Sequence, residues 1–136
     1  MVAIDGSEHS LKAAEYALEL AKSFNAQLFA ITVTSVPESY HLTQEDVLNK
    51  SKEMTDSKAW LEKFSHTAKT DNIELNTELI NSHRPVDYVI LEYAEEKNID
   101  LIVVGTRGRS GFKKLLLGSI ASSVVTYAHC PVMVVR

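Results

Sequence analysis

Four glycines and four cationic residues, with no carboxylate among them, fall within the run GTRGRSGFKKLLLGS at residues 105 to 119. Gly105, Gly108 and Gly118 are separated by two and then nine residues, and Ser119 follows the last of them. Glycine lets main-chain N–H groups come close to a ligand, and successive N–H groups in a turn form a concave seat for an anion. A helix beginning at Gly118-Ser119 would add unpaired N–H groups and a partial positive charge, with Ser119 at or next to its N-cap. Arg107, Arg109, Lys113 and Lys114 add cationic charge. The chemistry of this stretch is therefore that of holding a phosphate-like group. A surface loop with solvated cations is the alternative. The run contains neither GxxxxGK[S/T] nor the dinucleotide pattern GxGxxG.

A second group with chemical capacity is Asp5, in VAIDGS near the start of the chain. Its carboxylate can accept from ligand hydroxyl or amino groups, or it can cap the helix that starts beyond Ser7. His9, His41, His66, His83 and His129 are scattered with no metal-ligating spacing. His9 stands nearest Asp5 and reads as a solvated first-turn residue. The carboxylates of EYAEE at 92 to 96 read as a solvated helix face, and Ser119, Ser122 and Ser123 as capping and packing residues. Cys130, the single cysteine, precedes an apolar run and reads as a buried structural thiol.

These groups need elements to hold them, and the hydrophobic pattern supplies an alternating series. MVAI is a short strand. Leu11, Ala14, Leu18 and Ala21 mark a helix over 8–24. QLFAITVTSV is β-rich and ends near Pro37. Thr43 and Asp46 open a second helix, with Val47, Met54, Leu61, Phe64 and Ala68 on its apolar face. IELNTELI alternates as a half-exposed strand does. Pro85 suits the first turn of a third helix, whose stripe is Val86, Val89, Ile90, Tyr93 and Ala94. DLIVVG reads as a buried strand, Ile120, Ala121, Val124 and Ala128 as a last helix, and PVMVV as a final strand. Strands separated by helices imply parallel pairing with helices on both faces. Ligands of such sheets settle beyond the carboxyl ends of the strands, where Asp5 and the glycine run both fall.

The 136 residues suit a single domain spanning 1–136. With 45% hydrophobic and 24% charged residues, the composition is that of an ordinary globular protein. The net charge of −4 argues against a general nucleic-acid binder. No apolar stretch approaches the ~20 residues of a membrane span. MVAIDGSEHS lacks the basic and apolar regions of a secretory signal. A cytoplasmic protein without nucleic-acid or membrane partners is expected. The first strand is entered almost at once, which leaves residues upstream of Met1 open.

The spacing Gly105-x2-Gly108-x9-Gly118-Ser119 resembles the ATP-binding signature G-2x-G-9x-G-[S/T] of universal stress proteins. The likeness extends to VAIDGS, LFAITV, DLIVVGTRG, LLLGSIASSVV and CPVMVV, and is least over residues 36 to 72. It implies a Rossmann-like α/β three-layer sandwich with a five-stranded parallel sheet in the order 3-2-1-4-5. By motif position it implies that Asp5 meets the nucleoside of ATP, with Ala3 beneath it and the Val33 main chain on adenine. Gly105, Gly108, Gly118, Ser119 and Ile120 would surround ribose and phosphates. Arg107 and Arg109 match no fixed family residue and are assigned to phosphate from charge alone. Only four residues precede Asp5, so the first strand is expected to be shorter than usual for the family. The resemblance also implies a homodimer through the C-terminal strand. The expected function is nucleotide-dependent regulation in a stress response, with slow or no hydrolysis. A slow Mg²⁺-dependent ATPase, an ATP-independent interaction module, and a binder of another adenine nucleotide are the alternatives.

Overall fold

The computed structural model describes residues 1–35, 43–108 and 117–136. In chain order the elements are β1 (Val2–Ala3), α1 (Glu8–Phe24), β2 (Leu28–Ser35), α2 (Gln44–Thr70), β3 (Leu75–Ser82), α3 (Val86–Glu96), β4 (Ile102–Gly105), α4 (Ser119–Tyr127) and β5 (Val132–Val135). The strands form one five-stranded sheet in the order β3-β2-β1-β4-β5, and every neighbouring pair is parallel. This is the Rossmann-like α/β architecture expected from the sequence. β1 is indeed short, yet it pairs on both sides: Val2 lies opposite Ala30 of β2 and Val103 of β4.

Successive side chains of a strand point to opposite faces, and both faces of this sheet are covered. Leu28, Ala30 and Val103 pack with Ala13, Ala14, Ala17 and Leu18 of α1 and with Leu61, Phe64 and Ala68 of α2. Ile31, Ile102 and Val104 pack with Ile90, Tyr93 and Ala94 of α3 and with Ala121 and Val124 of α4. Double coverage explains why β4 reads as an uninterrupted apolar run. β3 and β5 form the two edges, and β3 carries the mixed exposure that its alternating sequence anticipates.

Local chemistry sets the helix boundaries. Ser7 is the N-cap of α1, and its side chain accepts from the Ser10 N–H at 3.3 Å. Thr43 and Asp46 form a capping box at the start of α2, satisfying N–H groups that the helix itself cannot. Asn25 closes α1 in the left-handed conformation, with φ 49°.

Three expectations need correction. Val47 of α2 is exposed and Met54 only half-buried. At 27 residues α2 runs about 40 Å, against about 26 Å for the 8 residues of β2. Its first turns therefore overrun the sheet they would pack on. Pro85 is the N-cap of α3 rather than part of its first turn, with an extended ψ of 140°. Cys130 is half-buried rather than buried. No helix among the described residues is long and apolar enough to cross a membrane.

Candidate functional site

β1 ends where its chain must leave the sheet, and the sequence there makes a tight turn. The Ile4 N–H still bonds the Ile31 carbonyl at 2.9 Å, then Gly6 takes φ 79°, a conformation that costs other residues a Cβ clash. Asp5 Oδ1 accepts from the Ser7 N–H at 3.0 Å and lies 2.6 Å from Ser7 Oγ. The single Ser7 hydroxyl proton serves this nearer acceptor, although the Arg107 carbonyl is 3.3 Å away. Ser10, itself buried, donates to the Ser7 carbonyl at 3.0 Å and receives the Asp5 N–H at 3.3 Å. Asp5 thus holds the N-cap residue Ser7 and does not itself cap α1. It also lies in the cleft described next.

β4 ends beside this turn. A Cβ on Gly105 would come within 2.7 Å of the main-chain carbon of His9, so only glycine lets the first turn of α1 lie against the strand end. The Thr106 N–H donates to the Val135 carbonyl at 2.7 Å, and the Thr106 carbonyl accepts from the Gly118 N–H, also at 2.7 Å. One residue therefore joins the end of β4, the last residue of β5 and the start of α4. Gly118 is the N-cap of α4 and Ser119 its first helical residue. Among the described residues no side chain caps this helix, in contrast to α1 and α2. Gly118 and Ser119 at this helix start border the space beside Gly105 and Gly108.

That space is a cleft of about 270 Å³. Ala3, Asp5, Val33, Gly105, Arg107, Gly108, Gly118, Ser119 and Ile120 all line it. Arg109, with Lys113, Lys114 and Gly111, lies outside the described residues. A Cβ on Gly108 would stand 2.7 Å from Asp5 Oδ2, so the glycine run and the carboxylate are in close contact. Ile31 turns its carbonyl toward β1. By the two-residue period of a strand, Val33 turns its main chain to the same side, level with the point where β1 has ended.

The sequence reading did not include Ile4, Ser10, Ser35, Val86, Ile90, Val104, Thr106 and Ala121, which also line the cleft. Val86 and Ile90 were visible as part of an apolar stripe, a pattern indistinguishable from core packing. The other chemistry-bearing residues are placed elsewhere. His9 packs on Gly105 and does not line the cleft. His129 Nε2 lies 3.1 Å from the Ile99 carbonyl, His66 and His83 are exposed, and His41 lies outside the described residues. Glu92 pairs with Arg84. Burial raises the Cys130 thiol above its ordinary pKa, away from the thiolate that a nucleophile needs. Among the described residues no group of three or more His, Cys, Asp or Glu could hold a metal ion.

The sequence profile described as the universal stress protein family matches residues 1–136. A universal stress protein of Methanocaldococcus jannaschii is 36% identical over 138 residues, an alignment covering 100% of this chain and 80% of that one. The universal stress protein UspA from Lactobacillus plantarum superposes with a TM-score of 0.79 at 26% identity, covering 99% of this chain and 94% of its own. A universal stress protein solved in complex with cAMP superposes with a TM-score of 0.74 at 28% identity, covering 99% and 94% respectively. With the profile matched from the first residue to the last and the sheet in the same order, the chain belongs to the universal stress protein family.

Proposed function

We propose that the cleft binds ATP or a related adenine nucleotide, and that the protein is a cytoplasmic regulatory module whose state follows nucleotide occupancy. The observation that carries this reading is convergence. Asp5 at the end of β1, Gly105 to Gly108 at the end of β4, and the uncapped start of α4 line one cleft. A helix N-terminus beside glycine N–H groups suits phosphate, and the Asp5 carboxylate suits ribose hydroxyls. The Val33 main chain offers a donor and an acceptor to a base edge. The similar protein solved with cAMP supports an adenine nucleotide as the ligand class. Arg107, and Arg109 by its charge, would accompany the phosphates. Mg²⁺, when present, would be carried on phosphate oxygens.

Holding the nucleotide suits this cleft better than turning it over. Asp5 is the one carboxylate among its described lining residues, and the ribose hydroxyls would occupy it. A general base needs a free acceptor within reach of the attacking water. Mass spectrometry of denatured purified protein is expected to release an adenine nucleotide, and ATP is expected to raise the melting temperature of nucleotide-free protein. No released nucleotide together with no thermal shift would remove the reading. Single-turnover assays with Mg²⁺ separate slow hydrolysis from none.

The same module is proposed to act as a homodimer through β5. Among the described residues that strand pairs with β4 on one side only, and Val132, Met133 and Val134 stay half-buried at the sheet edge. An apolar edge invites pairing with another chain, and a second copy satisfies it with two-fold symmetry. Light scattering at micromolar concentration is expected to give a dimer mass, and Val134→Lys a monomer. A monomeric wild type would remove this part.

A further inference from the structure

The sheet has a second edge, and its chemistry differs from that of β5. All 8 residues of β3 stand in register with β2, from Leu75 opposite Leu28 to Ser82 opposite Ser35. Among the described residues no other strand pairs with β3. The Leu28 N–H donates to the Glu74 carbonyl at 2.8 Å, which fixes the main-chain groups that face β2. By the two-residue period of a strand, Leu75, Thr77, Leu79 and Asn81 turn their N–H and C=O groups outward. An open row of this kind is a template for another strand, and natural edges often blunt it with lysine or proline. LNTELINS contains neither, and no arginine.

The side chains beside this row differ between the two faces of the sheet. Leu75 and Leu79 are half-buried and pack on the cluster that includes Leu61 and Phe64 of α2. On the opposite face Ile80 packs toward α3, and Glu78, two residues earlier on the same face, is exposed. Glu74, just before the strand, adds a second carboxylate on that face and accepts from Gln27 at 2.7 Å. The edge is therefore acidic on one face and apolar on the other. A second copy of the chain would bring two such acidic edges together, and like charges across a strand pair are destabilising. A basic strand complements it.

We propose that β3 is a docking edge for an extended segment of a partner protein with alternating basic and apolar side chains, which adds to the sheet as a sixth strand. The partner's main chain meets the outward groups of Leu75, Thr77, Leu79 and Asn81 and supplies the affinity, while its side chains supply the selectivity. Its basic residues flank Glu78, and its apolar residues continue the surface of Leu75 and Leu79. No residue of β3 lines the nucleotide cleft, so the proposal stands apart from the nucleotide reading.

The test titrates capped octapeptides into the full chain by calorimetry. A lysine–valine alternation is expected to bind saturably, and a glutamate–valine alternation at least about tenfold more weakly. Thr77→Pro removes one outward N–H and spares the ladder to β2, a placement that edge strands tolerate. It is expected to weaken the lysine–valine peptide about tenfold, and Glu78→Lys about fivefold. Circular dichroism and melting temperature are measured alongside. A lysine–valine peptide methylated at alternate amide nitrogens keeps its charge and loses its donors, so it decides the question should Thr77→Pro fail to fold. It is expected to bind at least about tenfold more weakly than the unmethylated peptide. A wild type that binds no lysine–valine peptide overturns the proposal, as does equal binding of the acidic peptide. Binding unchanged by Thr77→Pro or by amide methylation overturns it too, because simple charge attraction would survive both. A concentration-dependent mass above the dimer that Thr77→Pro abolishes would overturn the choice of partner in favour of a second copy.

Discussion

Gly118→Val is expected to weaken ATP binding at least a hundredfold, or about 2.7 kcal/mol, with the far-ultraviolet circular dichroism unchanged. Gly118 has φ −67° and ψ 158°, values that any L-residue adopts, so its backbone does not require glycine. The requirement is space. A Cβ there would lie 3.3 Å from the Thr106 carbonyl oxygen and 3.6 Å from Arg107 Cα. The two methyl groups of valine extend further into the narrow approach between the ends of the glycine run. They would cover the N–H groups at the start of α4 and push the phosphate from its seat. Titration calorimetry measures the loss directly. Affinity within a few-fold of wild type would show that the ligand does not use this helix start.

Gly105→Val has its largest expected effect on the fold. A Cβ on Gly105 would meet the main-chain carbon of His9 at 2.7 Å, its Cβ at 2.9 Å and its carbonyl oxygen at 2.9 Å. Two of these atoms are backbone in the first turn of α1, so relief requires moving the helix rather than rotating a side chain. α1 is anchored by Ala13, Ala14, Ala17 and Leu18 in the core and cannot shift without opening that packing. Overpacking of this kind costs about 3 kcal/mol, which lowers the melting temperature of a chain this size by roughly 10 °C. Urea denaturation of nucleotide-free protein tests it independently of the ligand. A change below about 0.5 kcal/mol would mean that α1 yields freely at this point.

The two variants also show which parts of the site the sequence made legible. Gly105, Gly108, Gly118 and Asp5 were readable because their spacing placed them beyond the ends of strands and at the start of a helix. The parallel sheet was readable because double coverage leaves uninterrupted apolar strands such as IVVG. Val86 and Ile90 were not assigned to the cleft because hydrophobic periodicity reports that a face is covered and is silent about what covers it. The hydrogen bond from Ser123 of α4 to Asp87 of α3 joins residues 36 apart, and no local pattern records a contact over that distance. Val47 was misplaced for a related reason. Its spacing continued the stripe of α2, but the length of the sheet beneath is a property of other segments.

Thr106 gives the arrangement a consequence for hydrogen exchange. Its amide proton is held by Val135 at the sheet margin, and its carbonyl holds the amide proton of Gly118 at the helix start. The peptide groups on either side of one α-carbon are thus committed to two different places. Fraying of the last residue of β5 exposes the Thr106 amide to solvent, and loosening of the helix start exposes that of Gly118. The two protons are adjacent in space and report on opposite sides of the same residue. Comparing their exchange rates would separate motion at the sheet margin from motion at the cleft.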